Sequence, residues 1–263
     1  MVGNPGYTFH LYHLVLADIY GVTMAPSDQV SAEHVAQHEV YLQLLGRFNV
    51  AVWSTMVPVP EEIIRATITI NLSRSAKVTQ GMHTTAQDCE DGSASLRIIE
   101  CLQAFDPIDW AANLPEHTSA HSKSWALLAT CFQTATILYS IHTCTSNARS
   151  SESTSTSAYE ELIKATRELY DLRERGGVHY KYILWPMVIC GIESVAKQDE
   201  SQLQFLCESL EQTTTDLGTL SMREAAVFLQ QLRRNGTERS VESPDKVDLE
   251  WDTIFSSAPL FLL

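Results

Sequence analysis

Residues 182–192 read YILWPMVICGI, and Glu193 closes the run. This is the most apolar stretch of the chain, yet a proline stands in its middle. Proline has no N–H and its ring clashes with the carbonyl four residues back, so it breaks a helix interior. In the first turn it is tolerated, because the missing N–H has no intrahelical acceptor there anyway. The stretch therefore reads as the start of a buried helix, Pro186–Lys197, with Pro186 at or near N1 and Leu184 and Trp185 leading into it. Gly191, lacking a Cβ, would let a neighbouring helix come close. The run falls far short of the roughly 20 residues needed to cross a bilayer.

Outward from this stretch the dominant period is helical. Trp125, Leu128, Phe132, Ala135 and Tyr139 recur at spacings of three and four, and Leu127, Cys131, Leu138 and Ile141 widen the same face, predicting a central helix over 122–143. The same pattern predicts helices at 158–174 and 201–217. A further helix should open at Ser221, where SMRE has the form of a capping box, and stop at Gly236. Upstream, helices are expected at 7–22, 31–56, 60–76 and 93–105. ATITINL (66–72) alternates like a strand, but it follows PEEIIR with Pro60 placed for N1, so it reads as helix. TSNARSSESTSTS (145–157) carries almost nothing apolar and reads as a flexible Ser/Thr-rich linker. A polar connector, 234–248, precedes WDTIFSSAPLFLL, whose apolar ending is expected to dock on the body. The whole reads as one all-α domain over 1–263, helical-bundle-like, with about eight to ten helices.

Composition excludes several classes. The chain carries 18 Lys and Arg against 32 Asp and Glu, a net charge of −14. Such a surface repels phosphate, and no basic run offsets it, so direct binding of nucleic acid by this chain is not expected. Residues 9–22 lack a basic n-region and are interrupted by Asp18, which argues against a signal peptide and secretion. Neither membrane insertion nor use of the sequons at Asn71 and Asn235 is expected. The six cysteines, at 89, 101, 131, 144, 190 and 207, contain no CxxC pair, and several fall in helical patterns. Buried free thiols fit better than disulfides or zinc.

Candidate chemistry is sparse. His10/His13, His34/His38 and His117/His121 have ligand-like spacing, but no third ligand is identifiable, so solvated or partly buried pairs are the plainer reading. Asp106 and Asp109 could act as acid and base or bind a cation, although Pro107 between them favours turn and capping roles. Phosphate-binding glycine loops, GxSxG and aspartate-rich DDxxD motifs are absent from the sequence. Glu193, bordering an apolar helix, is the best candidate for a functional ionisable group, its plainer role being an exposed or capped position. Trp110, Trp125, Trp185 and Trp251 read as core or tail anchors, or as walls of a ligand pocket between helices. No cofactor or metal site is expected.

LWPMVICGIESV (184–195) resembles a block of the fungal-specific transcription factor domain, in which Trp185, Pro186, Gly191 and Glu193 are the matching positions. RIIECLQAFDPIDWAA (97–112) resembles the family's "F-x-P-x-x-W-A" segment through Phe105, Pro107 and Trp110. The helix 124–141 resembles one ending in an L-Y pair, here Leu138 and Tyr139. EWDTIFSSAPLFLL (250–263) is similar to the family's Trp-containing tail through Trp251. These blocks follow the family's order over 97–263, with a weaker likeness at 9–24.

The resemblance implies an all-α regulatory module of a fungal zinc-cluster regulator. The family's N-terminal cysteine cluster, which reads DNA, has no counterpart here. The chain thus reads as a transcription-regulating protein without its own DNA-binding motif, nuclear or otherwise cytoplasmic. It would act through a protein partner or a small-molecule effector, in a metabolic or secondary-metabolite gene cluster. The competing reading is the same fold recruited as an enzyme, such as a cyclase, or as an accessory protein in secondary-metabolite biosynthesis.

Overall fold

In the computed structural model, residues 122–144 form a helix because almost every residue of Trp125–Ile141 finds a buried neighbour. Leu128, Ala129, Cys131, Ala135, Leu138 and Tyr139 are wholly inaccessible. Each fully buried large apolar side chain there contributes about 1.5–3 kcal/mol, far more than its helix propensity. The structure describes residues 5–45, 59–80, 88–114, 121–144, 148–177, 179–242 and 250–256.

Among these residues there are eleven α-helices and no strand. They are α1 (Pro5–Thr23), α2 (Ala32–Leu45), α3 (Glu61–Gln80), α4 (Asp88–Ala104), α5 (Pro107–Ala112), α6 (Ser122–Cys144), α7 (Ala148–Asp171), α8 (Leu184–Ala196), α9 (Glu200–Leu217), α10 (Leu220–Glu242) and α11 (Trp251–Phe255). Three short 3₁₀ segments, Ser27–Gln29, Leu172–Arg175 and His179–Tyr182, join them. The all-α reading holds, and ATITINL lies inside α3. Helix α6 is the axle, packing against α3, α4, α5, α7 and α8, while α9 and α10 form a hairpin against α8. By length and composition α6 would reach across a bilayer, but 83% of its most apolar window is buried within the protein.

Helix α8 resolves the question posed by Pro186. The helix begins at Leu184, after an Ile183 N-cap, so Pro186 is the third helical residue rather than the first. The first i→i−4 bond is Met187 N–H to the Ile183 carbonyl at 2.9 Å. Pro186 thus sits at the last position whose N–H has no partner, and the missing donor costs nothing. Gly191 faces α10: a Cβ there would lie 2.5 Å from both Leu229 methyl carbons. The helix ends in a Schellman motif with Gln198 at φ 56°, Asp199 N–H donating to the Ser194 carbonyl (2.8 Å) and Gln198 N–H to that of Val195 (3.1 Å).

Several expectations are corrected. Of the stretch expected as a linker, 148–157 is the first part of α7, and 145–147 lies outside the described residues. The Ser/Thr run has modest helix propensity. However, Ala158, Tyr159, Leu162, Ala165 and Leu169 bury their side chains, and once nucleated a helix extends cheaply. Helix α10 starts at Leu220, one residue before the proposed Ser221 cap. It also runs through Gly236, whose Cβ position meets Val195 Cγ1 at 3.5 Å. Packing against α8 outweighs a glycine penalty of about 1 kcal/mol. Helix α2 ends at Leu45, and the remainder of the expected 31–56 helix lies outside the described residues. Cys131, Cys144, Cys190 and Cys207 are buried free thiols as expected, but Cys101 is exposed. Within the C-terminal segment, Trp251, Ile254 and Phe255 are buried, and the apolar ending 257–263 lies outside the described residues.

Candidate functional site

The C-terminal end of α1 exposes carbonyls that a helix cannot satisfy internally. Here those of Val22 and Thr23 are met by side chains from distant elements, and four of the residues singled out in the sequence gather at this meeting point. Asn71 on α3 donates through Nδ2 to the Ile19 carbonyl at 3.0 Å. Arg74, one turn on, donates to the carbonyls of Val22 (3.1 Å) and Ala25 (2.8 Å). Its guanidinium is also attracted to the negative end of the helix dipole. Trp251 on α11 donates through Nε1 to the Thr23 carbonyl at 2.8 Å.

The remaining valences close the network. Tyr139 on α6 donates to Asn71 Oδ1 (2.6 Å) and accepts from Arg74 (2.8 Å). Burial pushes the Tyr139 phenol up to about 12, with Arg74 pulling the other way, so it stays neutral and keeps its proton for Asn71. Asp252 accepts from Arg74 (3.1 Å) and from the Ser27 N–H (3.1 Å) and hydroxyl (2.8 Å). Trp185 at the start of α8 donates through Nε1 to Thr23 Oγ1 at 2.7 Å. Its ring packs on Tyr20 (4.7 Å between centroids), Phe132 (6.0 Å) and Tyr139 (6.3 Å). Trp251 stacks on His142, which in turn pairs with Glu193. Glu193 is buried rather than exposed, and is held in the core by that imidazole.

So Tyr139, Trp185, Glu193 and Trp251 converge on one hub. Leu138, Pro186 and Gly191 serve the packing and start of the helices that carry it. Phe105, Pro107 and Trp110 lie elsewhere. Asp106 caps α5, accepting from Ile108 N–H (2.8 Å) and Asp109 N–H (3.1 Å), with Pro107 at the first helical position. Trp110 meets Phe105 (6.5 Å) and Trp125 (6.3 Å), and His179 packs 4.3 Å from the Trp125 ring. Asp106 is thus the capping residue, and Asp109 contributes its backbone N–H to that cap.

His10 and His13 stay neighbours on α1, whereas the second histidine pair takes separate partners. His34 bonds Ser31 at the start of α2, whereas His38 is buried facing Asp18 at 3.6 Å. His117 lies outside the described residues. Among the described residues no group of three or more His, Cys, Asp or Glu is arranged to hold a metal.

Arg74, Asn71, Thr23, Asp252 and His142 were missed by sequence reading. A signal existed for two of them: Thr67, Asn71 and Arg74 fall at i, i+4 and i+7 in a helix whose isoleucines are core, so polar residues occupy buried register. Asn71 also stands in a sequon, but its buried, bonded amide has no room for a glycan.

Beside the hub lies a cavity of about 190 Å³. Tyr20 of α1, Phe132 of α6 and Trp185 of α8 form its aromatic wall, and Val59, Leu184 and Met222 add apolar surface. Lys181, His13, Thr219 and Ser221 stand among its polar lining residues. An apolar pit with a few polar groups is the usual form of a small-molecule site.

A family model described as fungal specific transcription factor domain matches residues 18–257, from within α1 to just past α11. The match begins well before residue 97, where the stronger sequence likeness starts. No curated protein and no solved structure matches the chain.

Proposed function

Since the chain belongs to the fungal specific transcription factor domain family, we propose that it is a nuclear regulatory module that controls transcription by binding a small apolar effector in the cavity beside Trp185. The observation that carries this reading is the double duty of Trp185. Its ring walls the cavity, and its Nε1 holds Thr23, whose carbonyl receives Trp251 of the C-terminal helix. A ligand against that ring has differential contact with any state in which α1, α8 and α11 move relative to one another. Only such differential contact shifts a conformational equilibrium. A protein partner would read the altered outer surface of these helices, and the regulated genes would belong to a metabolic or secondary-metabolite cluster.

The test is a fungal strain lacking the gene, complemented with the native protein or with Met222→Trp, which fills the cavity. Transcripts of the target cluster should be lost on deletion, restored by the native protein, and restored without effector response by the variant. Intact transcripts with accumulation of a pathway intermediate would overturn the regulatory reading in favour of an enzyme.

A further inference from the structure

The geometry points to a small apolar carboxylic acid as the ligand class. Its hydrocarbon body would lie between Tyr20, Phe132 and Trp185, and its carboxylate would rest on Lys181. This inference rests on the cavity being the effector site proposed above, and adds the chemistry of what it takes.

Three observations carry it. The first is charge. The chain has 32 acidic residues against 18 basic, yet among the described residues no Asp or Glu lines the cavity. Lys181 is the lining side chain that carries positive charge at neutral pH, since burial and the neighbouring His10 hold the His13 imidazole below its ordinary range. Among the described lining residues a cationic ligand finds no counter-charge, and an anionic one finds the Lys181 ammonium.

The second is the state of that ammonium. Lys181 sits on the 3₁₀ segment His179–Tyr182, its Nζ 4.9 Å from the centre of the Tyr182 ring. That contact holds the head group at the rim, and among the described residues no carboxylate lies within ion-pairing distance of it. Thr219 lines the same cavity, and its side chain carries a hydroxyl that can donate to a carboxylate oxygen.

The third is size and polarity. Apolar cavities of about 150 Å³ accept benzene, so about 190 Å³ suits a ligand of roughly ten heavy atoms. Sugars and nucleotides need many more polar partners than this lining supplies, and a nucleotide also exceeds the volume. One charge on an apolar body is the complement of this pit.

The experiment uses the full chain and two matched probe pairs, trans-cinnamate with cinnamamide and hexanoate with hexanamide. Binding is followed by quenching of tryptophan fluorescence and by thermal shift. The acids should bind about tenfold tighter than their amides. Lys181→Met, at an exposed position, should fold normally and erase that preference while amide binding persists. Met222→Trp should abolish binding of all four. Equal affinity of acid and amide, or a preference surviving in Lys181→Met, overturns the carboxylate assignment and leaves the effector cavity standing. Failure of all four probes to bind, or binding untouched by Met222→Trp, overturns both.

Discussion

Gly191 offers a quantitative test of how α8 meets α10. Adding one methyl group there has two opposed consequences. Alanine is favoured over glycine in a helix interior by about 1 kcal/mol. Against this, the new Cβ would stand 2.5 Å from Cδ1 and Cδ2 of Leu229 and 3.0 Å from its Cγ. Leu229 is wholly buried, so rotating its isobutyl group only transfers the clash to other core atoms. Overpacking of this kind costs about 1–3 kcal/mol, and Gly191→Ala alone should therefore destabilise the protein by about 1 kcal/mol.

In a Leu229→Ala background the obstacle is gone. Leu229→Ala by itself should cost about 2–5 kcal/mol, because it opens a cavity. Adding Gly191→Ala then regains the helix preference and about 0.8 kcal/mol for the methyl that enters the void. The same substitution is thus expected to reverse sign, with a coupling of about 2–3 kcal/mol between the sites. Urea denaturation followed by far-ultraviolet circular dichroism reads the four proteins of the cycle, with unchanged m-values confirming that stability alone has moved. A 1 kcal/mol change should also appear as a Tm shift of about 2–4 °C. Equal effects of Gly191→Ala in the two backgrounds, within about 0.5 kcal/mol, would refute the close approach of α8 and α10 at this point.

Two further outcomes are expected. Arg74→Lys should lower stability by about 2–4 kcal/mol despite keeping the charge, because a single ammonium cannot reach the Val22 and Ala25 carbonyls, Tyr139 and Asp252 together. A loss below about 1 kcal/mol in chemical denaturation would show that the hub does not depend on the guanidinium fork. His179 is buried beside Trp125, and burial, with His121 and Lys181 nearby, pushes its imidazole down to about 4. Between pH 6.5 and about 4 the unfolded chain then binds a proton that the folded one refuses, so stability is full above pH 6.5 and falls as pH drops through this window, by about 2–3 kcal/mol from this group. His179→Gln should flatten that part of the stability profile relative to the native protein, and parallel profiles would contradict the assignment.

The periodic apolar faces of 122–143, 158–174 and 201–217 announced their helices because a helix is specified by neighbours three and four residues away. The same locality explains why Pro186 marked a helix start and Gly191 a close contact, and why Asp106 with Pro107 read as a cap. Local reasoning failed where packing overrode it. The Ser/Thr run of 148–157 is helical because the residues after it are anchored on α6, and Gly236 fails to stop α10 because that helix lies against α8. Likewise, nothing in the neighbourhood of Glu193 indicated whether it faced water or core.

Residue order alone thus prescribed an all-helical chain, its main helices and the aromatic residues suited to its interior. Only the packed structure brought Thr23 to Trp185 and Trp251, Arg74 to Asp252, and His142 to Glu193. The reason is physical. Helix formation is written in short-range spacing, whereas partners 51 to 228 positions apart meet only when whole helices dock. The orphaned carbonyls at the end of α1 acquire their donors, and the cavity its walls, in that same step.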